Sequence, residues 1–123
     1  MYIRHYNLSA GTRTFKPDTV GAELVPEMKI VSDNIFIKSK GNALTSEAFA
    51  DFISRNDIND FIITGADATA CVKTTCFNMR KAGYDVTVLS DCVTSYDKKQ
   101  IDEMLQYYES KGSKVITVKE LLN

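Results

Sequence analysis

The 123-residue sequence has no tryptophan, one histidine, two prolines and three cysteines, and each scarcity excludes something. With His5 as the sole histidine, a zinc site built from Cys and His is poorly supplied. Cys71, Cys76 and Cys92 form no CxxC pair, and an odd count suits a reducing compartment better than a disulfide framework. Charge of one sign is also lacking. Lys and Arg total 15 against 16 Asp and Glu, a net charge of -1, so no nucleic-acid or membrane partner is expected. No apolar run approaches the ~20 residues of a membrane span. The start, Met1-Tyr2-Ile3-Arg4-His5, lacks the apolar stretch of a signal peptide, so the expected location is the cytoplasm. There are no repeats and no low-complexity tract.

What is there suits an ordinary globular protein. Hydrophobic residues make up 44% and charged residues 25%, enough apolar content to favour folding over disorder. The length points to one domain, residues 1–123, able to bury roughly two-thirds of its unfolded surface.

Four segments read as buried strands: Asn34–Ser39, Asp60–Thr64, Asp85–Asp91 and Ser113–Thr117. Each is short, rich in Ile, Val or Phe, and bounded by turn residues. A fifth, Tyr2–Tyr6, stands alone at the front. Helical stripes fall between the four. Phe49, Phe52 and Ile53 follow a cap at Thr45 or Ser46; Val72, Cys76 and Met79 run up to Gly83; Ile101, Met104, Leu105 and Tyr108 close at Gly112. A short final helix is expected over Val118–Leu122. Strand–helix–strand repeated in this way implies a parallel sheet with right-handed crossovers, covered by helices. Between Tyr6 and Asn34 no periodic pattern is clear, which reads as a long loop of the kind used for lids or binding. A helix around Val20–Val25 is the alternative there.

In an open parallel sheet, ligands bind at the carboxyl ends of strands. Those ends offer Lys38, the run Thr64-Gly65-Ala66-Asp67-Ala68-Thr69-Ala70-Cys71, and Asp91 with Cys92. The middle run is the informative one. A small-residue turn leading to a Cys in the first turn of a helix lets free amides and the helix dipole favour a thiolate, and lets the amides hold an oxyanion. A strand-end lysine nearby would support the thiolate further. The same pattern also suits a cysteine that merely packs, since Cys is among the most buried residue types. Cys76, on the apolar stripe, reads as core. Cys92 reads as packed or exposed without a role, Lys40 as a solvated neighbour of Lys38, and His5 as packed or exposed.

These residues resemble the isochorismatase-like cysteine hydrolases. The likeness rests on Thr64–Val72, Ala82-Gly83-Tyr84-Asp85-Val86-Thr87-Val88, Ser90-Asp91, the upstream Gly21-Ala22-Glu23-Leu24-Val25-Pro26, and Ile37-Lys38 followed by Ala43–Phe49. It runs from about Tyr2 to Thr117. The resemblance implies an α/β fold, a three-layer α/β/α arrangement with a mostly parallel sheet. It implies hydrolysis of a small amide-like (C–N) or vinyl-ether substrate, with no cofactor. Cys71 would be the nucleophile and Lys38 its supporting lysine. The backbone N–H groups of Asp67 and Cys71 would form the oxyanion hole, with a cis peptide between Ala66 and Asp67.

The family's Asp, at the end of an opening strand in a pattern near Val-Ile-Asp-x-Gln-x-Asp-Phe, has no counterpart here. The resemblance therefore implies an N-terminally truncated domain, with open backbone edges where that first strand would lie. Asp18, Asp67 and Asp91 do not match the missing Asp by motif. The branch that hydrolyses nicotinamide uses a metal held by Asp and two His, which one histidine does not supply. Two expectations about partners follow: a homo-oligomer, or a second chain supplying the strand. A catalytically inactive fragment acting by association is the competing reading, and a nucleotide binder has no GxGxxG to support it.

Overall fold

A computed structural model describes residues 1–11 and 14–123. Thr12 and Arg13, within the long connection expected after Tyr6, lie outside the described residues. The elements are β1 (Tyr2–His5), β2 (Ile35–Lys38), α1 (Glu47–Arg55), β3 (Asp60–Ala66), α2 (Cys71–Lys81), β4 (Asp85–Thr94), α3 (Ile101–Ser110), β5 (Lys114–Ile116) and α4 (Val118–Leu122). This is the mixed α/β fold with parallel strands that the sequence pattern implies.

All pairings are parallel, but the sheet is in two pieces. β1 lies along β2, from Tyr2 opposite Ile35 to His5 opposite Lys38. β3, β4 and β5 form a second, three-stranded sheet, and among the described residues no ladder joins the two. Aromatic packing joins them instead. Phe36 of β2 meets Phe49 and Phe52 of α1 at ring-centroid distances of 5.4 and 5.2 Å, and Phe49 meets Phe61 of β3 at 6.4 Å. Aromatic contacts of this kind add to the burial energy of each ring.

The helices form where their caps and stripes direct. Ser46 closes the N-terminus of α1 by accepting from the Phe49 amide, and Phe49 and Ile53 are its buried face. Val72, Cys76 and Met79 bury one stripe of α2, which ends before Gly83 at φ +92°, a left-handed conformation that costs glycine nothing. Tyr108 carries α3 into the same core, donating its hydroxyl to the Ala68 carbonyl. Thr117 and Glu120 form a reciprocal capping box on α4.

Two boundaries differ from the sequence reading. β4 extends to Thr94, so Asp91 and Cys92 lie within the strand and not at its end. The register slips between Ile63 and Gly65, after which Gly65 and Ala66 pair with Val93 and Thr94, so the ladder outlasts the apolar run. Among the described residues, the connection before β2 holds a 3-10 turn, Val20–Ala22, in place of the longer helix considered there. The strands are also buried unequally. Val88 is fully enclosed, whereas Ile35 and Ile37 are exposed. Side chains alternate across a strand, so Phe36 and Lys38 point inward while their neighbours point out.

Candidate active site

Three strand or helix ends converge on one point. Lys38 closes β2 and is 7% exposed, deep enough that its ammonium needs partners. It has three: its Nζ donates to the Lys40 carbonyl at 3.0 Å, reaches Cys71 Sγ at 3.4 Å, and lies 2.7 Å from His5 Nδ1. An ammonium has three donors, so the set is complete. Cys71 is partly exposed at the first position of α2. A cleft of about 230 Å³ opens over it, bounded by Ile3, Lys38, Phe61, Gly65, Ala66 and Cys71. The cleft therefore lies between the two sheet pieces.

The turn from β3 to α2 is built to leave amides free. Gly65 adopts φ +118°, a region side chains disfavour, and the Ala66–Asp67 peptide is cis. Ala68 N–H donates to the Thr94 carbonyl, while Ala70 and Val72 N–H both donate to the Asp67 carbonyl. The Asp67 and Cys71 N–H groups have no protein acceptor among the described residues. Ala70, the residue before α2, has only a methyl side chain and cannot cap them.

Asp67 turns its carboxylate away into the turn itself. Its Oδ1 accepts from Thr69 N and Oγ1 at 2.8 and 2.9 Å, and Oδ2 accepts from Tyr96 N at 3.2 Å. Desolvation pushes this carboxyl upward, but hydrogen bonds from Thr69, Ser95 and Tyr96 outweigh it and hold it down at about 2. It is an ionised brace for the turn.

The other two thiols are disfavoured as nucleophiles. Burial pushes Cys76 up to about 12. Desolvation, then the adjacent Asp91 charge and hydrogen bond, push Cys92 up as well. Asp91 itself accepts from the Val118 amide at the start of α4. Neither Asp91 nor Cys92 lines the cleft.

The sequence matches the Isochorismatase domain family over residues 2–120. The chain belongs to that family. Among curated proteins it is 28% identical over 80 residues to isochorismatase domain-containing protein 2 of Xenopus laevis, covering 65% of this chain and 38% of that protein. The chain thus spans well under half the length of this relative. Its fold is similar to an isochorismatase-like hydrolase from Alkaliphilus metalliredigens (TM-score 0.88, 20% identity, 98% of this chain and 69% of that one). It is also similar to a nicotinamidase from Staphylococcus aureus (TM-score 0.63, 21% identity, 68% of this chain and 54% of that one).

Lys38 and Cys71, picked from the sequence, are brought together, and the Asp67 and Cys71 amides lie in the same turn. The metal that the nicotinamide branch of the family uses does not fit these residues. Only one histidine exists, and among the described residues no three His, Cys, Asp or Glu side chains converge. His5 is the residue that sequence reasoning passed over. It ends β1 as Lys38 ends β2, so the strand-end rule that selected Lys38 applies to it equally.

Proposed function

We propose that the chain is an isochorismatase-like cysteine hydrolase acting on small amide-like or vinyl-ether substrates, with Cys71 as nucleophile. The observation that carries this reading is the 3.4 Å contact from the Lys38 ammonium to Cys71 Sγ, which lines an open cleft at a turn whose Asp67 and Cys71 N–H groups have no acceptor among the described residues. For an amide, the Cys71 thiolate attacks the carbonyl carbon and a C–S bond forms. The oxygen takes the π electrons and is held by the Asp67 and Cys71 N–H groups. Collapse breaks the C–N bond as Lys38 gives a proton to the leaving amine. Water then attacks the thioester, its proton returns to Lys38, and the C–S bond breaks to release the carboxylic acid and the thiolate.

The test is ammonia release from a panel of small carboxamides, with a parallel panel of vinyl ethers followed by carbonyl release. Slow turnover that disappears in Cys71→Ala is expected. Turnover that survives the substitution would sink the assignment.

A second reading is favoured by the divided sheet. The cleft separates β1 from β3, two strands with no shared ladder, and Ile62 on β3 is 52% exposed. Such edges suit association with another copy or with a chain that supplies a strand. Sedimentation velocity across a concentration series checks self-association; a single monomer boundary throughout counts against it.

A further inference from the structure

The mechanism above uses Lys38 but leaves unexplained what aims it. Lysine has a flexible four-carbon stem, and a buried ammonium keeps one direction only where fixed acceptors hold it. Two things hold it here: the Lys40 carbonyl at 3.0 Å and His5 Nδ1 at 2.7 Å. The histidine contact is shorter, and it comes from the neighbouring strand at the directly opposed register position. His5 also packs against the ring of Phe15 in a T-shaped arrangement, with centroids 5.7 Å apart. Phe15 belongs to the long connection, pinned by its carbonyl accepting from Asn7 N–H. A chain of contacts thus runs from the connection through Phe15, His5 and Lys38 to Cys71.

We propose that His5 is the positioning residue for this site: a neutral imidazole, protonated on Nε2, whose Nδ1 accepts from Lys38 and keeps the third N–H of that ammonium on Cys71. The tautomer follows from the donors. A charged Lys38 has nothing to accept with, so a 2.7 Å contact requires a lone pair on Nδ1. Protonating His5 removes that lone pair and sets a second positive charge against the first. Lys38 is then displaced, and Cys71 loses its cation.

The surroundings favour the neutral form. Desolvation first, and then the Lys38 charge, push His5 below its ordinary value. Among the described residues Lys38 is the charged group acting on it from β2. Phe15 brings no charge, and Arg4, its neighbour on β1, is turned to the Ala22 carbonyl and the Tyr6 ring. The consequence is a site that switches off on the acid side through His5.

This inference rests on Cys71 as the reactive thiol, but its test needs no substrate, so the two can fail separately. Because the chain has a single histidine, its imidazole nitrogens give one unambiguous set of NMR signals. Nitrogen–proton correlation on the wild-type chain at neutral pH is expected to show the Nε2–H tautomer. An Nδ1–H tautomer, or an imidazolium at pH 7, would overturn the proposal without any mutation.

The second arm follows iodoacetamide labelling of Cys71 by peptide mass spectrometry between pH 5 and 9. His5→Ala is expected to slow labelling at pH 7 by about tenfold, the low end of the range for one hydrogen bond to a charged group. His5→Asn, whose side-chain oxygen can stand near Nδ1 but cannot titrate, should recover most of the rate and lose the His5 part of the acid limb. In a Lys38→Met background, His5→Ala should change nothing further, because it acts through Lys38. Equal rates in wild type and His5→Ala, or additive losses in the double variant, would overturn the proposal.

Discussion

The three-stranded sheet and the β1–β2 pair are built from similar apolar residues, yet they are enclosed very differently. Phe61, Val86 and Val88 are at most 4% exposed, with α1, α2 and α3 contributing to one continuous cluster around them. Ile35 and Ile37 are 38% and 41% exposed, and the pair is tied to the core through Phe36 and the aromatic face of α1. The larger piece supplies Cys71, the proposed nucleophile, and the amide turn, packed around the shared core. The smaller piece supplies Lys38 and His5, the groups that must be aimed. The proposed chemistry therefore depends on the joint between a well-packed region and a lightly held one.

The largest effect should come from the rigid side. Cys71→Ala is expected to lower hydrolysis by about a thousandfold or more, as nucleophile deletions do, while leaving the melting transition close to wild type. Activity and thermal melts measured on the same preparation check both halves of that statement. Next is the packing itself. Ile53→Ala removes a side chain 2% exposed in α1 and should cost about 2–5 kcal/mol by urea unfolding. Ile37→Ala, on the lightly held strand, should cost under about 1 kcal/mol. Similar losses at the two sites would erase the contrast.

On the aimed side, Lys38→Met should slow Cys71 alkylation at pH 7 by about thirtyfold, equivalent to about 2 kcal/mol. Labelling that moves to Cys76 or Cys92 before Cys71 in the wild-type chain would contradict the site. The smallest effect concerns the turn. Asp67 is held at about 2, below the ordinary 3.8, so its contribution to stability is fully present above pH 4 and is lost as pH falls toward 2. Urea midpoints between pH 2 and 6 should show this acid limb, and Asp67→Asn should flatten it.

Much of the fold was legible along the chain because local signals agree. Ser46, Gly83 and Thr117 stop or start helices by backbone hydrogen bonding within a few residues, and the Val and Ile runs carry strand propensity. The ends of β3 and β4 were not legible, since the slip after Ile63 depends on how two distant strands meet. Asp91 looked like a strand-end carboxylate and proves to be the acceptor for the Val118 amide, a partner 27 residues away. His5 carries no local signature of its contact with Lys38, 33 positions on.

Composition and order of residues were enough to point to the α/β class, the helical stripes with their glycine stops, and the small-residue turn that opens on Cys71. They were enough because propensity, capping and periodicity are short-range. Which cysteine faces a cation, which carboxylate is spent on bracing, and that the scarce histidine lies against Lys38 were decided only in three dimensions. Those are distances between segments remote in sequence, and burial and charge at a point are sums over everything that folds around it.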